Sequence, residues 1–113
     1  SCSKCHISSF NTKKGFKVYP YSDFLLHDMG KDLADGRIEF KANGNEWRTA
    51  PLWGLALHEK INGEKPRLLH DGRARSFQEA ILWHGGEAIK AKENYMNLPK
   101  DKREKLLKFL EEL

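Results

Sequence analysis

Apolar residues follow a helical period most clearly in the last third of the chain. After Leu98 and Pro99, one apolar stripe lies opposite charged residues and consists of Leu106, Leu107, Phe109, Leu110 and Leu113. This spacing predicts an amphipathic closing helix, because residues three and four positions apart share a face. A second helix is predicted from Ser76, an N-cap type followed by Glu79, as far as the pair Gly85-Gly86.

The first two thirds of the chain show a weaker period. Residues 23–30 predict one short strand or one turn of helix, ended by Gly30, and the apolar segment 47–57 predicts a short helix beginning near Pro51. Glycine, proline and polar residues between these segments are typical of irregular structure. Loops or turns are therefore predicted at residues 7–22, 30–46, 59–67 and 70–72.

The amino-acid composition limits which classes of protein this chain can belong to. The chain has 113 residues, of which 39% are hydrophobic and 32% charged, and this predicts one domain over residues 1–113. The apolar supply is modest for a core, and a bulky prosthetic group would relieve that shortage. No apolar run approaches the roughly 18 residues that a membrane-spanning helix needs.

The charge pattern favours a protein partner over a nucleic acid. The net charge is +4, but basic residues are scattered, and acidic residues interrupt even the densest stretch, Lys100 to Lys108. Nucleic-acid binding would require lysine and arginine concentrated on one element. We therefore expect docking to an acidic redox partner protein and no nucleic-acid binding.

The only two cysteines stand at the start of the chain, in the order Cys2-Ser3-Lys4-Cys5-His6. This is the haem c attachment pattern, in which two thiols form thioethers and the adjoining imidazole binds iron. A zinc site would need further ligands, a thioredoxin-like pair would lie between a strand and a helix, and a two-residue disulfide loop would be strained. The motif predicts one covalent haem c on Cys2 and Cys5, with His6 as an axial ligand.

Three longer segments carry a family resemblance: Pro20 to Gly30, Glu46 to Leu55 and Leu69 to Ala74. With them the chain resembles, over nearly its whole length, the C-terminal haem domain of the bacterial di-haem oxidoreductases, described as peroxidases or thiol oxidoreductases. It is more distantly similar to the electron-transferring domain of di-haem cytochrome c peroxidases. The resemblance implies a mainly α fold, a class I cytochrome c-like helical domain with long loops around one covalent haem.

The resemblance also implies elements upstream of this chain. In the complete family a helix and an N-terminal haem domain precede the attachment motif, so peroxidase chemistry would belong to that other haem and this domain would carry electrons. The chain departs from the peroxidase pattern at Trp53-Gly54, where the peroxidases have Arg-Asn. This departure is expected to alter the pocket near the haem propionates.

The second axial ligand is assigned by the same resemblance. The family position at the end of the helix after the His-x-Gly turn corresponds to His84, and Met29 and Met96 are the alternatives. His27 and His70 are expected near the haem or in turns. Two histidine ligands predict low-spin iron of low potential that transfers electrons and leaves no position for peroxide.

Aromatic and basic residues complete the expected haem pocket. Trp47, Trp53 and Trp83 are expected to pack on the porphyrin, since aromatic rings bury large areas. Arg48, Arg73 and Arg75 are candidates for pairing with propionates, with solvated surface as the alternative. The predicted pocket residues are Trp47, Arg48, Pro51, Trp53, His70, Arg73 and Trp83.

Three functions remain open from the sequence. The first is electron transfer by the haem, with a redox partner protein or another haem domain. The second is haem-dependent peroxidase or oxidoreductase activity as part of a di-haem enzyme, and the third is a haem-based sensor. Covalent haem attachment and the family resemblance imply a periplasmic or other extracytoplasmic location in a bacterium.

Overall fold

Short helices and very short strands, joined by long loops, make up the computed structural model, which describes residues 1–113. The α-helices are α1 (Leu55–Asn62), α2 (Phe77–Trp83), α3 (Ile89–Met96) and α4 (Lys100–Glu111). The strands are β1 (Phe10–Asn11), β2 (Lys17–Val18), β3 (Leu26–Asp28) and β4 (Glu46–Arg48). Two 3-10 helices span Cys2–Lys4 and Gly86–Ala88.

The strands form two separate antiparallel pairs. β1 pairs with β2, and β3 pairs with β4 in a register that sets His27 opposite Trp47. With 36% of the chain helical beside these two small sheets, the fold is mixed α/β, and the prediction of a mainly α domain is wrong. Strands of two or three residues are too short to show an alternating pattern, and backbone pairing rather than side-chain periodicity defines them.

Two predicted helices are confirmed. The Ser76 hydroxyl accepts a hydrogen bond from the Glu79 N–H at 3.1 Å, so α2 begins with the side-chain cap that the sequence indicates. α4 begins directly after Pro99, as the apolar stripe predicts. α2 contacts both α3 and α4, while α4 also contacts α1.

Two other helices differ from the prediction. The helix expected near Pro51 begins at Leu55, after Gly54 with a left-handed φ of 82°, and it continues into a segment predicted as a loop. α3 was not predicted, because its few apolar residues are interspersed with lysine, glutamate and asparagine and make no clear apolar stripe.

Few side chains are buried within the chain. Seven residues of 113 are buried, and the hydrophobic ones are Leu33, Ala74 and Tyr95. Besides pairing with β4, β3 contacts the 3-10 helix Gly86–Ala88, which follows α2. None of the helices combines the length and the apolar character needed to cross a lipid bilayer.

Candidate metal centre

The first six residues wind into a single tight turn. The 3-10 helix Cys2–Lys4 continues through hydrogen bonds from the Cys5 and His6 N–H groups to the Cys2 carbonyl, at 3.3 and 2.9 Å. Both cysteines are free thiols, with Cys2 exposed and Cys5 half-buried. The turn thus groups two thiols and one imidazole, as the attachment pattern requires.

The chemistry of Cys5 is unlike that of a reactive redox thiol. Burial raises the pKa of the Cys5 thiol above its ordinary value, and the negative charges of Asp23 and Glu87 act in the same direction. Nucleophilic cysteines have a lowered pKa instead, because the thiolate is the reactive species. This environment counts against the thiol-redox interpretation of the motif.

The rings of His6 and His84, which are distant in the sequence, lie next to each other. Their ring centroids lie 6.5 Å apart and the rings are tilted by 52°. The Nδ1 of His6 donates to the Tyr21 carbonyl at 2.9 Å, and the Nδ1 of His84 donates to the Ala80 carbonyl at 2.7 Å. Because a carbonyl only accepts, both rings carry their proton on Nδ1, which leaves Nε2 with a free lone pair.

Burial favours the neutral form of both histidines. Burial lowers the pKa of His6 and of His84, more than the backbone hydrogen bonds raise it. A neutral imidazole with its second nitrogen hydrogen-bonded is the form that binds metals, because the hydrogen bond fixes the tautomer and raises ligand basicity.

The spacing of the two rings fits one metal ion between them. An imidazole nitrogen binds a metal at about 2 Å, so two rings on opposite sides of one ion have centroids about 6 Å apart. The observed 6.5 Å agrees with this arrangement. These two nitrogens, together with two thiols on the same turn as His6, are residue types that a bis-histidine haem c would require.

Glycines after α2 let the His84 segment approach β3. A Cβ at Gly86 would collide with the Asp28 carbonyl, and one at Gly85 would lie 2.8 Å from the Met29 carbonyl. Gly86 also has a left-handed φ of 49°. The Gly85-Gly86 pair, which the sequence predicts only as a helix stop, is therefore also a site of close backbone packing.

A carboxylate–histidine–carboxylate bridge reinforces this junction. His27 contacts Asp23 through Nε2 at 2.8 Å and Glu87 through Nδ1 at 3.0 Å, and Glu87 also accepts from the Asp28 N–H at 2.9 Å. These bonds raise the pKa of His27, with Glu87 the larger cause, and lower the pKa of Glu87. The pKa of Asp23 is also lowered, because hydrogen bonds from the Leu25 N–H and then from His27 outweigh the opposing effect of burial. Sequence reasoning placed His27 near the haem but missed both carboxylates.

Two residues of this bridge also belong to a group of three metal-donor side chains. Donor atoms of Cys5, Asp23 and His27 lie within 4.8 Å of one another. Both nitrogens of His27 already bind carboxylates, and Cys5 belongs to the attachment motif. The cluster is better explained as an ionic bridge than as a metal site.

Four predicted pocket residues form one aromatic stack and one cation–π pair. Trp47 stacks on His70 with centroids 3.5 Å apart and an interplanar angle of 11°. Arg73 lies over the Trp83 ring, its carbon 4.8 Å from the centroid. No ring stacking or hydrogen bond joins either pair to His6 or His84.

The remaining candidates are dispersed. Arg48 lies over the Phe24 ring, Pro51 is half-buried, and Trp53 is 52% exposed. Met96 is 54% exposed, while Met29 is half-buried beside the glycine pair. Among the candidates for a second axial ligand, His84 is the one whose ring faces His6; its ligand role stays a prediction.

Comparison with protein families gives one match. Residues 1–113 match the family model described as "Di-haem oxidoreductase, putative peroxidase". No curated protein and no solved structure matches the chain.

Proposed function

We propose that this chain, which belongs to the di-haem oxidoreductase family, transfers electrons through one c-type haem bound between His6 and His84. The family name implies a haem-based oxidoreductase or peroxidase-like function. The observation that carries the finer proposal is the opposed pair of imidazole rings, 6.5 Å apart, beside two free thiols. Cys2 and Cys5 would form the thioethers, and the haem would supply one-electron chemistry at iron.

The residues around the rings support electron transfer rather than ligand exchange. Both imidazoles are oriented by backbone carbonyls, those of Tyr21 and Ala80, which a side-chain rotation cannot remove. If both imidazoles bound the haem iron, they would leave no position for peroxide, and the haem would supply electron transfer through its edge. Two imidazoles without a thioether ligand also favour a low potential.

The ferric spectrum of His84→Ala tests this assignment. We expect low-spin iron in the parent protein and high-spin iron in the variant, because one axial nitrogen is lost, with rapid cyanide binding only in the variant. His70→Ala is the matched control, since that ring stacks on Trp47 instead of facing His6. An unchanged low-spin spectrum in His84→Ala would reject this ligand and favour Met29 or Met96.

The family description favours a second candidate, peroxidase-like activity as part of a di-haem protein. In that case the chain would act with another haem domain, and one axial position here would be open or easily vacated. Added peroxide discriminates between the two candidates. An electron carrier keeps its low-spin spectrum in peroxide, whereas a peroxidase site changes spectrum and turns over a reducing substrate.

Partner and location follow from the same proposal. The net charge of +4 suits docking to an acidic redox protein, including another haem domain. Covalent haem attachment suits a bacterial periplasm or cell surface. Nucleic acid is not proposed as a partner, because basic residues do not concentrate on one element.

A further inference from the structure

Residues that follow α1 and precede α2 form an open cavity of about 260 Å³ on the surface of the chain. It is lined by Glu64, Lys65, Pro66, Arg67 and Arg75. Three of these side chains are basic and one is acidic, and none of the ion pairs of the chain includes any of them. The cavity therefore carries an excess of positive charge that the chain itself leaves unpaired.

Backbone pairing brings the two arginines of this cavity together. Leu68 and Ala74 form an antiparallel bridge, with an N–H to carbonyl hydrogen bond in each direction at 2.9 and 3.4 Å. In an antiparallel pair, the residue before one partner lies opposite the residue after the other, so Arg67 lies opposite Arg75. Like charges in such positions repel each other, and a bound anion would turn this repulsion into two attractive contacts.

A tight turn between the bridge partners supports this arrangement. Leu69 and Gly72 both have left-handed φ values, 71° and 72°, and this conformation is uncommon for a bulky residue such as leucine. The turn packs closely, since a Cβ at Gly72 would lie 3.2 Å from the Cβ of Arg67, and Ala74 is fully buried. The backbone beneath the two arginines is thus already ordered, which lowers the entropic cost of binding a ligand.

We propose that Lys65, Arg67 and Arg75 bind carboxylate side chains of an acidic segment of the redox partner protein. This inference rests on the proposed function and assigns its docking to one surface of the chain. A guanidinium group binds a carboxylate through two parallel hydrogen bonds, and an ammonium group adds positive charge. Arg75 and His84 flank α2, so a partner docked here lies one helix length, about 12 Å, from the proposed iron ligand.

The lining favours an acidic peptide over a nucleic acid. No aromatic residue lines the cavity, so the bases of a single strand would find no ring on which to stack. Carboxylates need only the charged donors that are present. Arg75, a candidate for propionate pairing, would then bind a carboxylate of the partner instead.

Binding of a dye-labelled hexaglutamate peptide to the haem-loaded protein, measured by fluorescence anisotropy at low salt, tests this site. Arg67→Gln combined with Arg75→Gln should raise the Kd about tenfold, because two charge-assisted contacts are lost. Lys13→Gln combined with Lys14→Gln is the matched control, since it removes the same two charges from exposed residues outside the cavity. This control should change the Kd by less than about twofold, because exposed charges away from the contact are screened.

Inorganic phosphate and a short single-stranded DNA of similar charge are the comparison probes, and both should bind more weakly than the peptide. Arg67→Lys combined with Arg75→Lys keeps the charge but loses the two-pronged donors, so its Kd should lie between those of the parent and the glutamine variant. Absence of peptide binding to the parent, or equal losses in the two glutamine variants, would overturn the docking site. Tighter binding of phosphate or DNA than of the peptide would overturn it as well.

The ferric spectrum separates this site from the proposed function. Both glutamine variants should keep the low-spin spectrum of the parent, because none of their four substituted residues is a proposed haem ligand. A low-spin parent that does not bind the peptide would overturn the docking site alone. A parent without low-spin haem would overturn the proposed function, whatever its affinity for the peptide.

Discussion

Backbone carbonyls determine which nitrogen of each facing histidine is free. The Tyr21 and Ala80 carbonyls accept from Nδ1 of His6 and His84, so Nε2 is the nitrogen left free in both rings. Because these acceptors belong to the backbone, substitution of the Tyr21 or Ala80 side chain leaves the tautomer unchanged. Backbone carbonyls, rather than neighbouring side chains, therefore orient both imidazole rings for binding a metal.

His27 is a second residue with an individual role, because its positive charge stabilises the bridge to Asp23 and Glu87. The raised pKa of His27 and the lowered pKa values of Asp23 and Glu87 show that the bridge is strongest when the imidazole is protonated and both carboxyl groups are ionised. The stabilisation by His27 is therefore complete below its unfolded pKa and lost as pH rises through its raised folded pKa. The carboxylate contributions are lost as pH falls through their lowered folded values.

We predict that His27→Gln reduces the pH dependence of stability. The free energy of unfolding of the parent protein should exceed that of the variant most in the mildly acidic range, and the difference should shrink as pH rises above the folded pKa of His27. Denaturant unfolding of the haem-loaded proteins at several pH values measures this difference. His58→Gln is the control, because His58 forms no ion pair. A pH-independent difference between parent and variant would contradict the bridge.

Site residues that are adjacent in the chain could be grouped from the sequence, whereas contacts between residues distant in the chain could not be predicted. Cys2, Cys5 and His6 form one local turn, so their grouping is visible in the sequence. The contact between His27 and Glu87 joins residues far apart in the chain, and no spacing rule connects them. His84 could be predicted as an axial ligand only through the family resemblance.

At the scale of elements, the junction between β3 and the 3-10 helix Gly86–Ala88 holds the segment after His84. The Asp28 N–H donates to Glu87 from β3, and the Asp28 carbonyl contacts Gly86. β3 begins shortly after Tyr21, whose carbonyl orients His6, so this junction links the two halves of the site.

Gly86→Ala is predicted to disrupt this junction. A left-handed residue other than glycine costs about 1–2 kcal/mol, and the collision with the Asp28 carbonyl adds about 1–3 kcal/mol. Gly15→Ala is the control, because Gly15 has a φ of 83° with nothing within 4 Å of the added Cβ, so it carries only the backbone cost. Denaturant unfolding should rank Gly86→Ala as the less stable variant, and equal losses would contradict the close packing.

Helix predictions succeeded where local signals were strong. The Ser76 cap and the apolar stripe after Pro99 both depend on residues within one or two turns. β3 lies in the segment 23–30, which was predicted as either a short strand or a turn of helix. The other strands and α3 were missed because their formation depends on partners elsewhere in the fold: β4 needs β3, and α3 needs α2. Tertiary contacts of this kind override local propensity.

At the scale of the whole molecule, the chain exposes more surface than its mass predicts. Its accessible area is 8262 Å², whereas a compact protein of this mass exposes about 6,400 Å². The radius of gyration is 14.7 Å against about 13 Å for a compact chain of this length. With seven buried residues, the chain supplies little core of its own, as its modest apolar composition predicts.

A covalent haem would compensate for the small number of buried side chains in this chain. A large apolar ring between His6 and His84 would cover side chains from both halves of the fold, so stability and redox function would depend on one group. The mixed α/β architecture is consistent with this interpretation, since short elements and long loops need a common centre to pack against.

The intact mass of the denatured protein, matured in a host that attaches haem c, tests the central claim most directly. Thioether bonds to Cys2 and Cys5 survive denaturation, so the account predicts the mass of the polypeptide plus one haem, with neither cysteine open to alkylation. A mass equal to the bare polypeptide, with both thiols alkylated, would contradict it.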